Sequence, residues 1–231
     1  MTKPHIAVVG AGIVGICTAY FLNKSGFKVT LIDKNDPGTM TSYGHACTFA
    51  DYACVPVNSP DLFRKIPSML LKSDGPLSLD FLYVIKNFSW ACKFFQNCTT
   101  NKVKHISNSL ANLLNSASTS YDEIFSDVDV SKYIKNEETL YLYQNENDFL
   151  KAKISNTVRE TNGAKIKILS KKEILDIEPN LASVFYNGQL FMGSRHTTNP
   201  QEISNKIFES FINNGGNFYK KSVKNISPNE V

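Results

Sequence analysis

The chain opens on an unbroken apolar run, Ile6-Ala7-Val8-Val9, β-branched at three of its four positions, which predicts a parallel strand buried on both faces. The period then lengthens. Ile13, Val14, Cys17, Tyr20 and Phe21 recur at three- and four-residue steps and predict a helix with one apolar face that runs to Ser25. Gly26 stands where a left-handed C-terminal cap is needed. Val29 to Asp33 reads as a second strand, closed by the turn cluster Asn35-Asp36-Pro37-Gly38.

Further on, residues 41–50 are small and polar with an internal glycine, and Pro56 and Pro60 follow. This predicts a shaped loop and neither helix nor strand. Leu82, Ile85, Phe88, Trp90, Ala91, Phe94 and Phe95 fall near helical spacing over residues 79–95, with Lys86 and Lys93 opposite them. A helix of that kind can lie on a membrane surface, although such a face is more often packed on its own domain. Residues 105–125 predict a helix with Leu110, Leu113 and Leu114 on its apolar side. The pattern then predicts a strand over 139–143, a helix over 146–161 ended by Asn162-Gly163, a strand over 165–169 and another near 190–192. Asn199-Pro200 is a good helix start, Ile203, Ile207, Phe208, Phe211 and Ile212 make its face, and Gly215-Gly216 stops it. Residues 217–226 predict a strand beside that of Asp33, and Glu230-Val231 the first step of a returning strand.

Chemistry is concentrated at the first turn. Gly10, Gly12 and Gly15 give the G-x-G-x-x-G spacing between the first strand and the first helix. The first glycine permits a tight turn, the second lets a pyrophosphate approach the backbone, and the third lets helix and strand pack closely. The pyrophosphate then meets the unpaired N–H groups and positive dipole end of the helix, so Ala11, Ile13 and Val14 join the glycines as candidate cofactor-binding residues. Asp33, about twenty residues on and followed by Lys34, can accept the adenosine ribose hydroxyls. Glycines alone are a weak signal; strand, glycines, capped helix, second strand and terminal acid together are strong. The pattern predicts a dinucleotide site on a Rossmann-type α/β domain.

At 231 residues, with 42% hydrophobic and 20% charged, the composition is that of an ordinary globular chain. The net charge of +4 comes from scattered lysines without a basic stripe carrying aromatics, which argues against a nucleic-acid partner. Five cysteines without a C-x-x-C pair suit a reducing compartment and point to neither a disulfide framework nor a structural metal site, so a cytoplasmic location is expected. The apolar start reads as the first strand and not as a signal peptide, and no apolar stretch approaches the length that spans a bilayer.

Several segments beyond the turn resemble one family. Ser42-Tyr43-Gly44-His45-Ala46, the proline-rich stretch after it, Phe88 to Cys98, Glu138 to Tyr143 and Ile174 to Pro179 are similar in order and spacing to the FAD-dependent amine and D-amino-acid oxidoreductases, which include the D-amino-acid dehydrogenases. The resemblance implies an FAD-binding domain over residues 1–60 and 197–231 and, over 61–196, a helical segment and part of an α+β substrate domain with an antiparallel sheet. It implies hydride transfer from the α-carbon of an amino acid or amine to the flavin, with the imine hydrolysed to a 2-oxo acid and ammonia. The electron acceptor would be a quinone or oxygen, and peripheral association with the inner face of a bacterial inner membrane is a further expectation.

Ser42, His45 and Ala46 are implied as flavin contacts, and a backbone group near Val223 as an adenine contact, although a strand valine can equally be buried for packing. N-methylglycine dehydrogenases similar in the His45-Ala46 step attach flavin covalently to that histidine; a hydrogen bond from His45 to the flavin is the plainer alternative. Cys47 departs from the glycine usual there. Of the arginines, Arg64, Arg159 and Arg195, none matches the family's carboxylate clamp, and Arg195 is expected to form a surface or interdomain ion pair. Resembling proteins continue with more of the substrate sheet, so the chain is expected to be an N-terminal part needing a C-terminal half or partner chain, and to turn over little alone. Alternatives are an N-methylglycine (sarcosine or dimethylglycine) dehydrogenase, an NAD(P)H-dependent FAD hydroxylase and a non-catalytic nucleotide-binding fragment.

Overall fold

The computed structural model describes residues 3–45, 47–60, 62, 66 and 81–227, with residue 81 described by its backbone only. They form two compact units, Met1–Phe49 with Thr119–Glu137 and Ser194–Val231, and Ala50–Ser118 with Glu138–Gly193. Residues 119–137 and 194–196 group with the first unit and residues 50–60 with the second, each the reverse of the division that the resemblance implies.

The first unit is built on a parallel sheet of β1 (His5–Val9), β2 (Lys28–Asp33) and β9 (Asn217–Lys220), in the order β1-β2-β9. Ile6 lies opposite Val29 and Val8 opposite Leu31, and Asp33 lies opposite Lys220. The expected strand beside that of Asp33 is present but ends at Lys220, leaving Val223 beyond it. The expectation that the first strand is buried on both faces needs correcting. Among the described residues β1 is an edge strand with Val9 53% exposed, and β2, held between two neighbours, buries Val29, Thr30 and Leu31.

Helix α1 (Ile13–Lys24) follows β1, and Gly26 ends it at φ +81 with its N–H on the Asn23 carbonyl. The buried line on α1 is Ile16, Ala19 and Tyr20, and not the predicted Val14, which is 78% exposed. The helix carries apolar residues on more than one side, so periodicity alone could not choose between them. Helix α7 (Pro200–Asn213) begins as predicted, with the Asn199 side chain accepting the Glu202 N–H at 3.1 Å. It packs Ile203, Ile207 and Phe211 into the same core, each worth roughly 1.5–3 kcal/mol of burial, while Ile212 stays at the surface. Between these elements β3 (Thr48–Phe49), β4 (Ile134–Lys135) and β8 (Arg195–Thr197) form a small antiparallel sheet in the order β3-β8-β4, so the expected loop over 41–50 carries a short strand.

The second unit holds an antiparallel sheet of β5 (Thr139–Tyr143), β7 (Asn187–Phe191) and β6 (Ile166–Leu169), in the order β5-β7-β6. Helices α5 (Glu146–Thr161) and α6 (Lys171–Ile177) accompany it. Leu169, Ile174 and Phe185 form one core cluster, and Tyr52 stacks on the fully buried Phe191 with ring centroids 3.8 Å apart. The predicted helix over 79–95 is two helices, α2 (Phe81–Lys86) and α3 (Phe88–Gln96), broken at Asn87. Much of its apolar face is exposed: Leu82, Ile85, Phe88 and Trp90 are each at least 63% exposed. The next helix, α4 (Thr100–Asp127), belongs to this unit up to Ser118 and to the first unit from Thr119; it is longer than predicted and buries Ser107 and Ala111, whereas Leu113 is 72% exposed. The returning strand expected at Glu230-Val231 lies outside the described residues.

Candidate functional site

The glycine turn joins β1 to α1 with the geometry its spacing calls for. Gly10 has φ +106, a conformation that a side chain resists, and its N–H continues the sheet to the Ile32 carbonyl at 2.8 Å. A Cβ on Gly15 would lie 1.8 Å from the Gly10 carbonyl oxygen, so only glycine lets α1 start this close to the turn. Gly12 is the N-cap and provides no side-chain cap of its own. Ser42, 29 positions after Ile13, serves instead: its buried hydroxyl accepts the Ile13 N–H at 2.9 Å.

Asp33 closes the other side of the turn. One carboxylate oxygen accepts the Ala11 N–H at 2.7 Å and the other the Asn35 N–H at 2.8 Å. The Ala11 N–H, seconded by that of Asn35, holds the Asp33 carboxyl below the usual carboxylate range. The Ala11 carbonyl in turn accepts the Gly38 N–H at 2.7 Å. Gly38, at φ +71, is set against Ser204 of α7, and the sequence reading did not single it out beyond its turn cluster. Lys34 is exposed just past the strand.

The fold thus brings Gly10, Ala11, Gly12, Ile13, Gly15, Asp33 and Ser42 together. Val14 follows on the exposed side of the helix start. His45 is exposed, and its Nδ1 accepts the Cys47 N–H at 3.1 Å, which leaves Nε2 as the ring's second polar position. Cys47 has φ +64, in the left-handed region that favours glycine, and no sequence signal within this chain marks that strain. Ala46 lies outside the described residues. Val223 is 36% exposed on the chain beyond β9.

Both described arginines are engaged. Arg195 pairs with Asp122 at 2.6 Å and lies over the rings of Phe49 and Phe125, an ion pair inside the first unit rather than between domains. Arg159 donates to Ser155 and Asn156, at 3.1 Å each, and lies over Phe191. Arg64 lies outside the described residues.

These features define a Rossmann-type α/β unit accompanied by a unit with an antiparallel sheet. The FAD dependent oxidoreductase (DAO) family matches residues 5–231, and the chain belongs to that family, whose cofactor is FAD. The chain is 28% identical over 217 residues to D-amino acid dehydrogenase of Helicobacter pylori, covering 94% of this chain and 51% of that protein. It is 28% identical over 148 residues to D-amino-acid oxidase of Bradyrhizobium diazoefficiens, covering 63% of this chain and 35% of that protein. Glycine oxidase from Geobacillus kaustophilus shares the fold, with a TM-score of 0.57 at 15% identity over 93% of this chain and 45% of that one. The chain spans about half, or less, of the length of these relatives.

Proposed function

We propose that this chain provides the FAD-binding part of an oxidoreductase acting on the C–N bond of a D-amino acid or related amine, giving an imine that water hydrolyses to a 2-oxo acid and ammonia. The observation that carries the reading is the Asp33–Ala11 lock around the glycine turn, in a chain of the FAD-dependent family. FAD, when bound, supplies the hydride acceptor. The chain's residues bind and orient it. The first-turn N–H groups of α1, with Gly12, take the pyrophosphate at the positive end of the helix dipole. Ser42 keeps a hydroxyl proton for a phosphate oxygen while it accepts the Ile13 N–H. Asp33 has acceptor capacity left for ribose hydroxyls after two backbone N–H groups, and its low pKa keeps it ionised at neutral pH. His45 offers Nε2 to the flavin because Nδ1 is engaged, and the chain around Val223 borders the adenine. Arg159 and Arg195 are committed elsewhere, so other residues must hold the substrate carboxylate.

The test is an absorption spectrum of the chain after incubation with FAD and gel filtration, followed by D-alanine, sarcosine and NADPH without oxygen. A retained flavin band bleached by D-alanine or sarcosine supports the proposal. Bleaching by NADPH alone replaces it with a nicotinamide-dependent flavoprotein. A colourless eluate shows that this chain does not hold the cofactor by itself.

A further inference from the structure

The loop that follows Asp33 is held to the rest of the first unit from two sides. On one side the Gly38 N–H donates to the Ala11 carbonyl at 2.7 Å, on the same residue whose N–H Asp33 accepts. On the other, the Gln201 side chain reaches across from α7. Its Nε2 donates to the Pro37 carbonyl at 3.1 Å and to Asn205 Oδ1 at 2.7 Å. Because α7 leads into β9, which runs parallel to β2, the α7 N-terminus stands at the carboxyl end of the sheet, beside the glycine turn. A Cβ on Gly38 would lie 2.7 Å from Ser204 Cβ and 3.2 Å from the Gln201 amide nitrogen, so loop and helix are in direct contact there.

The sense of the Gln201 amide is set along α7. One Glu202 carboxylate oxygen accepts from the Tyr133 hydroxyl at 3.0 Å, and the other accepts from Asn205 Nδ2 at 3.2 Å. Asn205 therefore turns its oxygen to Gln201, which must present its nitrogen to both Asn205 and Pro37. That leaves Gln201 Oε1 buried and without a hydrogen-bond partner among the described residues. An unpaired buried acceptor destabilises a fold, so stability alone does not account for a glutamine at this position.

We propose that Gln201 is a positioning residue of the dinucleotide site: by tying Pro37 to α7 it keeps the 33–38 loop, and with it the Asp33 carboxylate, in register with the glycine turn. The description of that turn as an FAD site rests on the proposed function, so the test is made on the chain without FAD. Failure of the chain to retain FAD then leaves this result readable.

The measurement is the titration of the Asp33 carboxyl by carbon NMR, assigned with Asp33→Asn, together with hydrogen exchange at the Ala11 amide. Gln201→Met keeps the length of the side chain and removes both polar atoms, and Gln201→Ala removes the contact altogether. Asn205→Ala frees the Gln201 amide without touching the loop. Lys34 and the Asp36–Lys220 pair, the other charges on this loop, are the same in every variant. In both Gln201 variants Asp33 should titrate closer to the ordinary aspartate value, and the Ala11 N–H should exchange at least about tenfold faster. Asn205→Ala should give a smaller change in the same direction, with far-UV circular dichroism unchanged in all three. Asp33 and Ala11 unmoved in the folded variants overturns the proposal, whatever the melting temperature, and makes Gln201 a packing residue only. Loss of the folded state in all three variants overturns it as well.

Discussion

The Asp33 carboxylate accepts the Ala11 N–H at 2.7 Å, joining the end of β2 to the glycine turn 22 positions earlier. A second N–H, from Asn35, occupies the other oxygen, so the acid is oriented before any ligand arrives.

This lock gives the site a pH dependence. The folded pKa of Asp33 is depressed, chiefly by the Ala11 N–H, so its stabilisation is complete above the ordinary aspartate value and is lost as the pH falls through the lower folded value. Asp33→Ala should cost about 1.5–3 kcal/mol at neutral pH, the scale of a hydrogen bond to a charged group. In urea unfolding of the two proteins, the difference should shrink as the pH is taken below the ordinary aspartate value. An undiminished difference there would show that Asp33 acts other than as a carboxylate.

The glycines of the turn should differ in tolerance. Gly15→Ala puts a methyl 1.8 Å from the Gly10 carbonyl oxygen, and because that neighbour is backbone the strain should exceed about 3 kcal/mol. Gly12→Ala meets the Ser42 hydroxyl at 3.2 Å, which a small side-chain shift relieves. Thermal denaturation should therefore show Gly15→Ala severely destabilised and Gly12→Ala folded, with FAD retention weakened in Gly12→Ala.

Cys47 is the described non-glycine residue at positive φ. Cys47→Gly removes the left-handed penalty and should stabilise the first unit by up to about 1 kcal/mol, less the entropy glycine adds to the unfolded chain. A lowered melting temperature would mean that the Cys47 thiol, which donates to the His45 carbonyl, outweighs the strain.

In the second unit the buried amides of Asn156 and Gln189 exchange hydrogen bonds at 2.6 and 3.2 Å. Asn156→Leu leaves Gln189 without its partner and removes one Arg159 acceptor, and should cost about 1–3 kcal/mol, whereas Asn156→Leu with Gln189→Leu should recover the Gln189 part of that. A double-mutant cycle by urea unfolding measures the coupling. Strictly additive losses would show that the pair is not coupled.

Elements whose information is local were legible in the sequence. The Asn199-Pro200 start of α7, the Gly26 cap of α1 and the strand Thr139–Tyr143 all lie where composition placed them. Helix α6 has a local start signal, since Ser170 and Glu173 form a capping box, but seven residues are too few for a hydrophobic period to mark it. Strands β3, β4 and β8, two or three residues each, carry no period to detect and exist through pairing with one another. The burial of α1 and α4 was misjudged at Val14 and Leu113, because a helix apolar on several sides does not say which side meets the sheet.

At the site, the sequence by itself determined the glycine turn, the helix that leaves it and the acid that ends β2. Turn sterics, capping and strand period act within a few residues, and the spacing of Gly10, Gly12, Gly15 and Asp33 records them. The tertiary structure alone decided that Ser42 caps α1, that Asp33 holds the Ala11 N–H and that Gly38 lies against α7. Each of those contacts joins groups far apart in the chain, and only the packing of α1 and α7 with the sheet brings them within hydrogen-bond or van der Waals reach.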